Sequence, residues 1–236
     1  MKDTVIAAAA ALLMTFGAIA GPISAVELNR HPLPEGFVYL DVAIADLVVE
    51  LRYFTAENFV GRPVDGYVHA HGILSRPAVK ALANVQADLR PFGLGLKVFD
   101  AYRPRRAVDH FVRWAGNLKD RATKPAYYPD VAKGTLFKEG YIARRSSNSR
   151  GSTVDVTIVA RDGGGSVQEL DMGSRYDYFG PISWPTSTAV SGQQRANRTL
   201  HRTLMIAHGF QPYAQEWWHF TLKTEPYPNT YFNFPI

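Results

Sequence analysis

Residues Ser146 to Val159 read SSNSRGSTVDVTIV. A small, polar, glycine-containing segment runs directly into β-branched and apolar residues, a pattern that predicts a loop feeding a buried strand. Asp155 lies inside the apolar run, where a carboxylate is costly to bury unless a cation or a hydrogen-bond network meets it. This stretch alone leaves two interpretations open. Asp155 either serves a functional site or ties down the preceding loop through backbone N–H groups.

The composition is that of an ordinary globular protein. The chain has 236 residues, of which 46% are hydrophobic and 20% charged, enough for one domain with a sizeable core. The formal net charge is +5, but the basic residues are scattered, which argues against a nucleic-acid partner. The absence of cysteine excludes disulfides, thiolate catalysis and cysteine-ligated zinc.

The N-terminus has the pattern of a signal peptide. Lys2 precedes an unbroken run of small and apolar residues from Val5 to Ala20, with small residues after it where a signal peptidase could cut. The run is shorter than the about 20 residues of a spanning helix, although an uncleaved anchor is an alternative. We therefore expect a signal peptide over residues 1–25, an exported, periplasmic protein, and no membrane anchor after cleavage.

The rest of the chain predicts a single α+β domain over residues 26–236, with a small mixed sheet flanked by helices. Strands are expected at 38–40, 47–53, 96–100 and 217–222, and on both sides of a glycine turn at 162–165. Helices are expected from Ser75, from Pro104 and, behind a capping box of Ser191 and Gln194, up to Gly209. No repeat or low-complexity linker divides the chain.

Two further features are candidates for a site. Arg103 falls between a predicted strand and a predicted helix and precedes a proline, which restricts its backbone. It could point a fixed cation into a cleft or brace the loop through carbonyl groups. His69 and His71 would share one side of an extended segment. They are either a metal pair or solvated loop histidines.

Six motifs stand in order along the chain: GRPVDGY at 61–67, DAYRP at 100–104, the loop at 146–155, MGSR at 172–175, EWWH at 216–219 and EPYPN at 225–229. Together they resemble the VanX-type D-alanyl-D-alanine dipeptidases. The resemblance runs from about residue 38 to the C-terminus. It implies a zinc metallopeptidase of mixed α+β fold, with its site in a cleft.

The resemblance also implies roles for individual residues. Asp155 and His219 correspond to zinc ligands, and Glu216 corresponds to the general base that takes a proton from the metal-bound water. Arg103 corresponds to the cation that steadies the tetrahedral oxyanion. Because an odd spacing puts Glu216 and His219 on opposite sides of a regular strand, the resemblance requires an irregularity such as a bulge near the start of that strand.

The implied substrate is a small dipeptide, D-alanyl-D-alanine, from cell-wall metabolism. Ser146 and Asp177 correspond to positions that hold this dipeptide. Two other functions stay open: a non-catalytic relative that binds a D-amino-acid peptide, and a zinc D,D-carboxypeptidase that trims longer peptides. The oligomeric state is not indicated by the sequence.

Asn148 departs from the family pattern, because it occupies the position of a metal-binding histidine. An imidazole nitrogen binds zinc at about 2.0–2.1 Å, whereas an amide is a poorer neutral donor with a shorter reach. We therefore expect a single, weakly bound Zn²⁺ and slow hydrolysis. The chain is then an altered form of an active dipeptidase, a natural non-catalytic relative, or a protein in which His69 or His71 supplies the missing ligand.

Overall fold

The computed structural model describes residues 30–162 and 164–236. The predicted signal peptide lies outside these ranges. Residues Leu33–Ile236 form one compact unit. Within the described ranges, no helix combines the length and the apolar character needed to cross a bilayer.

The compact unit contains eight strands in its described part. They are β1 (Phe37–Tyr39), β2 (Val48–Val49), β3 (Ile73–Ser75), β4 (Leu94–Asp100), β5 (Thr153–Arg161), β6 (Val167–Glu169), β7 (Phe210–Pro212) and β8 (His219–Leu222). The main sheet has the order β2-β4-β5-β8-β7, with β6 also paired to β5. The pair β2–β4 is parallel and the other pairs are antiparallel, so the predicted mixed sheet is confirmed. Strands β1 and β3 form a separate antiparallel pair.

Five helices accompany the strands of the described part: α1 (Leu40–Ala43), α2 (Arg76–Leu89), α3 (Arg105–Gly116), α4 (Lys124–Tyr127) and α5 (Gly192–Ala207). Helix α2 contacts β4, and α5 contacts both β7 and α2. These contacts confirm the α+β class predicted from the sequence. The capping box of Ser191 and Gln194 is present at the start of α5, because each residue's side chain meets the other's backbone N–H group.

Two predicted strands are shorter than expected. The apolar run at 47–53 forms only the two-residue β2 and then a single helical turn at Arg52–Phe54. The run at 217–222 becomes a strand only at His219, because the two tryptophans before it form a turn and are both buried. Their apolar character reflects core packing rather than strand pairing.

The register of the central strands determines where the polar residues meet. Asp155 of β5 pairs with His219 of β8 on one side and with Asp100 of β4 on the other. The register between β4 and β5 shifts between Val98 and Asp100, as at a β-bulge. Three ionisable residues therefore lie side by side across the middle of the sheet.

Candidate active site

Asp155 and His219 are brought together by strand pairing. The Oδ1 atom of Asp155 lies 2.8 Å from Nδ1 of His219. Asp155 is buried, and its Oδ1 accepts no hydrogen bond of good geometry from the described residues. A buried carboxylate oxygen requires a cation nearby, and the imidazole of His219 supplies one when it is protonated.

The other carboxylate oxygen of Asp155 is well satisfied. Tyr176 donates its hydroxyl to Oδ2 at 3.1 Å, and Arg103 approaches the same atom through Nη2 at 3.3 Å. These two contacts fix the orientation of the carboxylate. The arrangement matches the general rule that a ligating carboxylate is itself held by hydrogen bonds. The sequence indicates no individual role for Tyr176, because only the tertiary structure brings it to β5.

Glu216 stands just ahead of β8 and faces the same point. Its Oε2 lies 3.7 Å from Nδ1 of His219. The turn formed by Trp217 and Trp218 separates the two residues, so the strand irregularity that their spacing required is present. Burial raises the pKa of Glu216 to about 7, an effect that the charge of His219 partly opposes. A carboxyl group of this pKa is well suited to exchange a proton near neutral pH.

His219 titrates under opposing influences. Burial by itself would lower its pKa, but the charge and hydrogen-bonding capacity of Asp155 together with the charge of Glu216 outweigh that effect. The pKa of His219 is therefore raised above its ordinary value. Its Nε2 lies 3.2 Å from the hydroxyl of Ser147, a neighbour that the sequence reasoning did not single out.

Arg103 is held rigidly at the junction between β4 and α3. Asp100 is fully buried, and its carboxylate accepts a hydrogen bond of 2.9 Å from Nε of Arg103. The same carboxylate lies 2.7 Å from Nη2 of Arg103. Tyr67 donates to the other oxygen of Asp100 at 2.6 Å. The guanidinium also stacks over the rings of Tyr53 and Phe111, at 5.0 Å and 5.1 Å from their centroids. Of the two interpretations left open for Arg103, the structure supports the first, a fixed cation that faces a cavity.

Ser146 and Asp177 approach the same cavity from two loops. The Ser146 hydroxyl lies 3.4 Å from Nη1 of Arg103. Asp177 accepts a hydrogen bond from Tyr53 at 3.1 Å through Oδ1, whereas its buried Oδ2 has no hydrogen-bond partner among the described residues. Burial and the negative charges of Asp155 and Glu216 raise the pKa of Asp177 well above its ordinary value. A cationic group of a ligand would satisfy this carboxylate.

Asn148 does not line this cavity. It is completely buried, its Oδ1 accepts a hydrogen bond from Ser146 at 3.0 Å, and its Nδ2 donates to the carbonyl of Ala101 at 3.0 Å. Both ends of the amide are therefore engaged in holding the loop. His69 and His71 do not line the cavity either, so the suggestion that one of them completes the ligand set is not supported.

The donors present do not complete a catalytic zinc site. Catalytic zinc ordinarily has three protein ligands and one open position. Asp155 and His219 offer two such donors side by side, and the amide of Asn148, the residue that the family resemblance puts at a third ligand position, is already satisfied. Within residues 30–162 and 164–236, no group of three or more histidine, aspartate or glutamate side chains is arranged to hold a metal.

The predicted residues share one cavity of about 470 Å³. Those lining it include Arg103, Ser146, Asp155, Asp177, Glu216 and His219, with Ser147 beside them. The cavity is thus lined by carboxyl groups and by the guanidinium of Arg103, which lies 3.3 Å from Oδ2 of Asp155.

Comparison with known proteins agrees with this architecture. Residues 34–236 match the family model described as D-ala-D-ala dipeptidase. The D-alanyl-D-alanine dipeptidase of Enterococcus faecalis is 40% identical over 204 residues, which cover 86% of this chain and 100% of that protein. The enzymes of the same name from Streptomyces coelicolor and Escherichia coli are 40% and 33% identical, over 85% and 81% of this chain and 98% and 87% of their own lengths.

These matches first define the class of protein, which is a peptidase. More particularly, the chain belongs to the D-ala-D-ala dipeptidase family. The family resemblance inferred from the six motifs is confirmed.

Proposed function

We propose that this chain recognises D-alanyl-D-alanine or a close dipeptide, and that Asn148 impairs its zinc-dependent hydrolysis. The observation that carries the proposal is the convergence of Asp155, Glu216, His219 and Arg103 on one cavity that Asn148 does not line. The assignment of the substrate is supported by the relatives, which are named D-alanyl-D-alanine dipeptidases. The engaged amide of Asn148 supports the impairment.

The charged groups of the cavity suit the two ends of a dipeptide. Asp177 has a free, buried oxygen that would accept the ammonium group, and a cation there would bring its raised pKa down. Ser146 and Arg103 offer a hydroxyl and a guanidinium to anionic oxygens. A carboxylate for the ammonium group and a guanidinium for the carboxylate would fix the direction in which the dipeptide binds.

Two residues suit the chemistry of peptide hydrolysis. Glu216, with a pKa of about 7, can hold the proton that a water molecule loses and pass it to the leaving amine. Arg103 is fixed by Asp100 before substrate arrives, so it can oppose the negative charge that develops on the scissile carbonyl oxygen without reorganisation. Both groups are intact in this chain.

The metal is the incomplete part of the site. Zinc polarises a peptide carbonyl and lowers the pKa of a bound water when three protein ligands hold it. Loss of a residue that merely supports a ligand costs about 10–100-fold in metal affinity or activity. Replacing a ligand should therefore cost at least about 100-fold. Asp155 and His219 alone would hold the ion weakly.

The substrate assignment is tested by calorimetric binding of D-alanyl-D-alanine to this chain. We expect binding that Asp177→Asn and Arg103→Gln each weaken by about tenfold or more, because each removes a charge that meets one end of the ligand. Asp130→Asn, at an exposed carboxylate, is the matched control and should bind as the parent chain does. L-alanyl-L-alanine should bind more weakly. Equal binding of both enantiomers would contradict the proposal.

A second candidate is a binding protein that has kept the pocket and lost catalysis. The two hydrogen bonds that satisfy the Asn148 amide favour it, because they give this residue a structural role of its own. Asn148→His distinguishes the two. Strong dipeptidase activity in that variant supports an impaired enzyme, whereas zinc binding and dipeptide binding without turnover support the binder. Turnover of a longer peptide in preference to the dipeptide would instead indicate the carboxypeptidase.

Export to the periplasm is part of the same proposal. It rests on the signal-peptide pattern of residues 1–25. Expression of the full chain in a Gram-negative host followed by N-terminal sequencing of the periplasmic fraction tests it. A mature protein that starts near residue 26 supports the proposal, and an uncleaved chain in the cytoplasmic fraction contradicts it.

A further inference from the structure

A smaller cavity adjoins the dipeptide cavity on the side of Ser146. Its volume is about 200 Å³, and it shares Val108, Arg145 and Ser146 with its larger neighbour. At about 30 Å³ for each water molecule in the liquid, this volume corresponds to roughly seven water molecules. It therefore has room for a small polyatomic ion and part of its hydration shell. We refer to it as the arginine cavity.

The charges around the arginine cavity are strongly unbalanced. Arg105, Arg144 and Arg145 line it, and Asp109 is the carboxylate among its lining residues. None of the three arginines forms an ion pair with another residue in the described part of the chain. Three guanidinium groups around one concave site favour an anion, because each adds to the positive potential inside it.

Aromatic rings hold two of the arginines. The Arg145 guanidinium lies over the ring of Tyr231, at 5.4 Å from its centroid, and Tyr231 itself lines the cavity. The Arg144 guanidinium lies over Phe137 at 5.5 Å. Stacking of this kind limits the freedom of a guanidinium while leaving its N–H groups free to donate. The arginines are thus partly ordered before any ligand binds.

Ser149 provides an observation independent of the charges. It is completely buried, its Oγ has no hydrogen-bond partner among the described residues, and it lines the arginine cavity. Its backbone is fixed, because its N–H donates to Ser146 and its carbonyl accepts from Phe232. A buried hydroxyl without a partner is costly, and an anion in the cavity would accept its proton.

We propose that the arginine cavity is a second binding site of this protein and that it takes a small oxyanion. Ser149 donates from the buried end, and Arg105 and Arg144 donate from the rim. Oxyanions suit this arrangement because guanidinium forks match the geometry of phosphate and carboxylate oxygens. The ligand is either free phosphate or an extra carboxylate on a peptide that also occupies the dipeptide cavity. The proposal does not depend on catalysis.

Calorimetric titration of the full chain with inorganic phosphate at constant low ionic strength tests the site. We expect saturable binding that Ser149→Ala weakens by about tenfold, and that Arg105→Gln combined with Arg144→Gln removes. Arg202→Gln, at an exposed arginine of α5, is the matched control and should leave binding unchanged. Thermal melting of each variant confirms that it is folded. Added salt should weaken the binding.

A second arm distinguishes the two sources of the oxyanion. A D-alanyl-D-alanine peptide with one additional carboxylate is compared with the same peptide in which that carboxylate is an amide. Phosphate binding that depends on Ser149 identifies a free oxyanion. A preference for the acidic peptide that Ser149→Ala abolishes identifies a peptide carboxylate. If neither ligand binds, or if Arg202→Gln has the same effect as the cavity variants, the second site does not exist, whatever the dipeptide titration shows.

Discussion

His201 is a buried histidine directly behind the candidate site, and its replacement is expected to change the acid stability of the protein. Its side chain is 1% exposed, and neither ring nitrogen has a hydrogen-bond partner among the described residues. The ring lies 4.9 Å from that of Phe220 and 6.4 Å from that of Trp217, the neighbours of His219 and Glu216. Burial lowers the pKa of His201 from 6.5 to about 3.

The sign and size of the effect follow from this lowered pKa. Between pH 6.5 and about 3 the unfolded chain takes up a proton at this position that the folded chain excludes. The stability linked to His201 is therefore complete above pH 6.5 and is lost as the pH falls toward 3. At about 1.4 kcal/mol per pH unit, the whole interval costs at most about 5 kcal/mol. That is a large share of a typical folding free energy of about 5–15 kcal/mol.

The perturbation is His201→Leu. The assay is urea unfolding at about pH 7.5 and about pH 5, monitored by tryptophan fluorescence. Between these values the parent chain should lose about 2 kcal/mol more than the variant, because leucine binds no proton. At the higher pH the variant should be no less stable, since it buries no unpaired ring nitrogen. Arg202→Gln on the same helix should behave as the parent. Equal pH dependence of the parent and His201→Leu would refute the reasoning.

Three further perturbations probe other parts of the account. Asp100→Asn should destabilise the chain by about 3 kcal/mol in urea unfolding, because it removes the buried carboxylate that pairs with Arg103; an unchanged unfolding midpoint would contradict this. Gly151→Ala should lower the free energy of unfolding by more than about 2 kcal/mol, because φ of residue 151 is +80° and the new Cβ would lie 2.2 Å from Phe37. Gly192→Ala is the control and should not destabilise the chain, because no atom lies within 4 Å of the new Cβ. Exhaustive treatment with a chelator should leave the far-ultraviolet circular dichroism and the melting temperature nearly unchanged, because the core is built from contacts among buried apolar side chains; loss of structure would show that the metal is structural.

The sequence predicts the parts of the molecule that depend on local pattern. The apolar stripe of α2, the capping box at Ser191 and the buried run of β5 each carry their signal in consecutive residues. The family resemblance, combined with the odd spacing of Glu216 and His219, also required an irregular strand start, and the turn ahead of β8 supplies it. In each case short-range geometry and the demand for burial point to the same structure.

The remaining features depend on contacts between distant segments. Tyr67 holds Asp100, the carboxylate that orients Arg103, from 33 residues earlier in the sequence, and Tyr176 orients Asp155 from a separate loop. No local pattern marks such partners, because a buried tyrosine looks the same in a sequence whether or not its hydroxyl serves a site. The hydrogen bonding of the Asn148 side chain could not be predicted from the sequence either, because its amide donates to the carbonyl of Ala101 on another loop.

The most direct test of the central claim compares zinc content and D-alanyl-D-alanine turnover in this chain and in Asn148→His. Both proteins are dialysed against a mild chelator, and Asn148→Gln serves as the control that changes the residue without adding an imidazole. We expect well under one zinc per chain and slow turnover in the parent and in Asn148→Gln. In Asn148→His we expect about one zinc per chain and turnover at least about 100-fold faster. A parent chain that keeps a full zinc ion and hydrolyses the dipeptide as fast as Asn148→His would contradict the account.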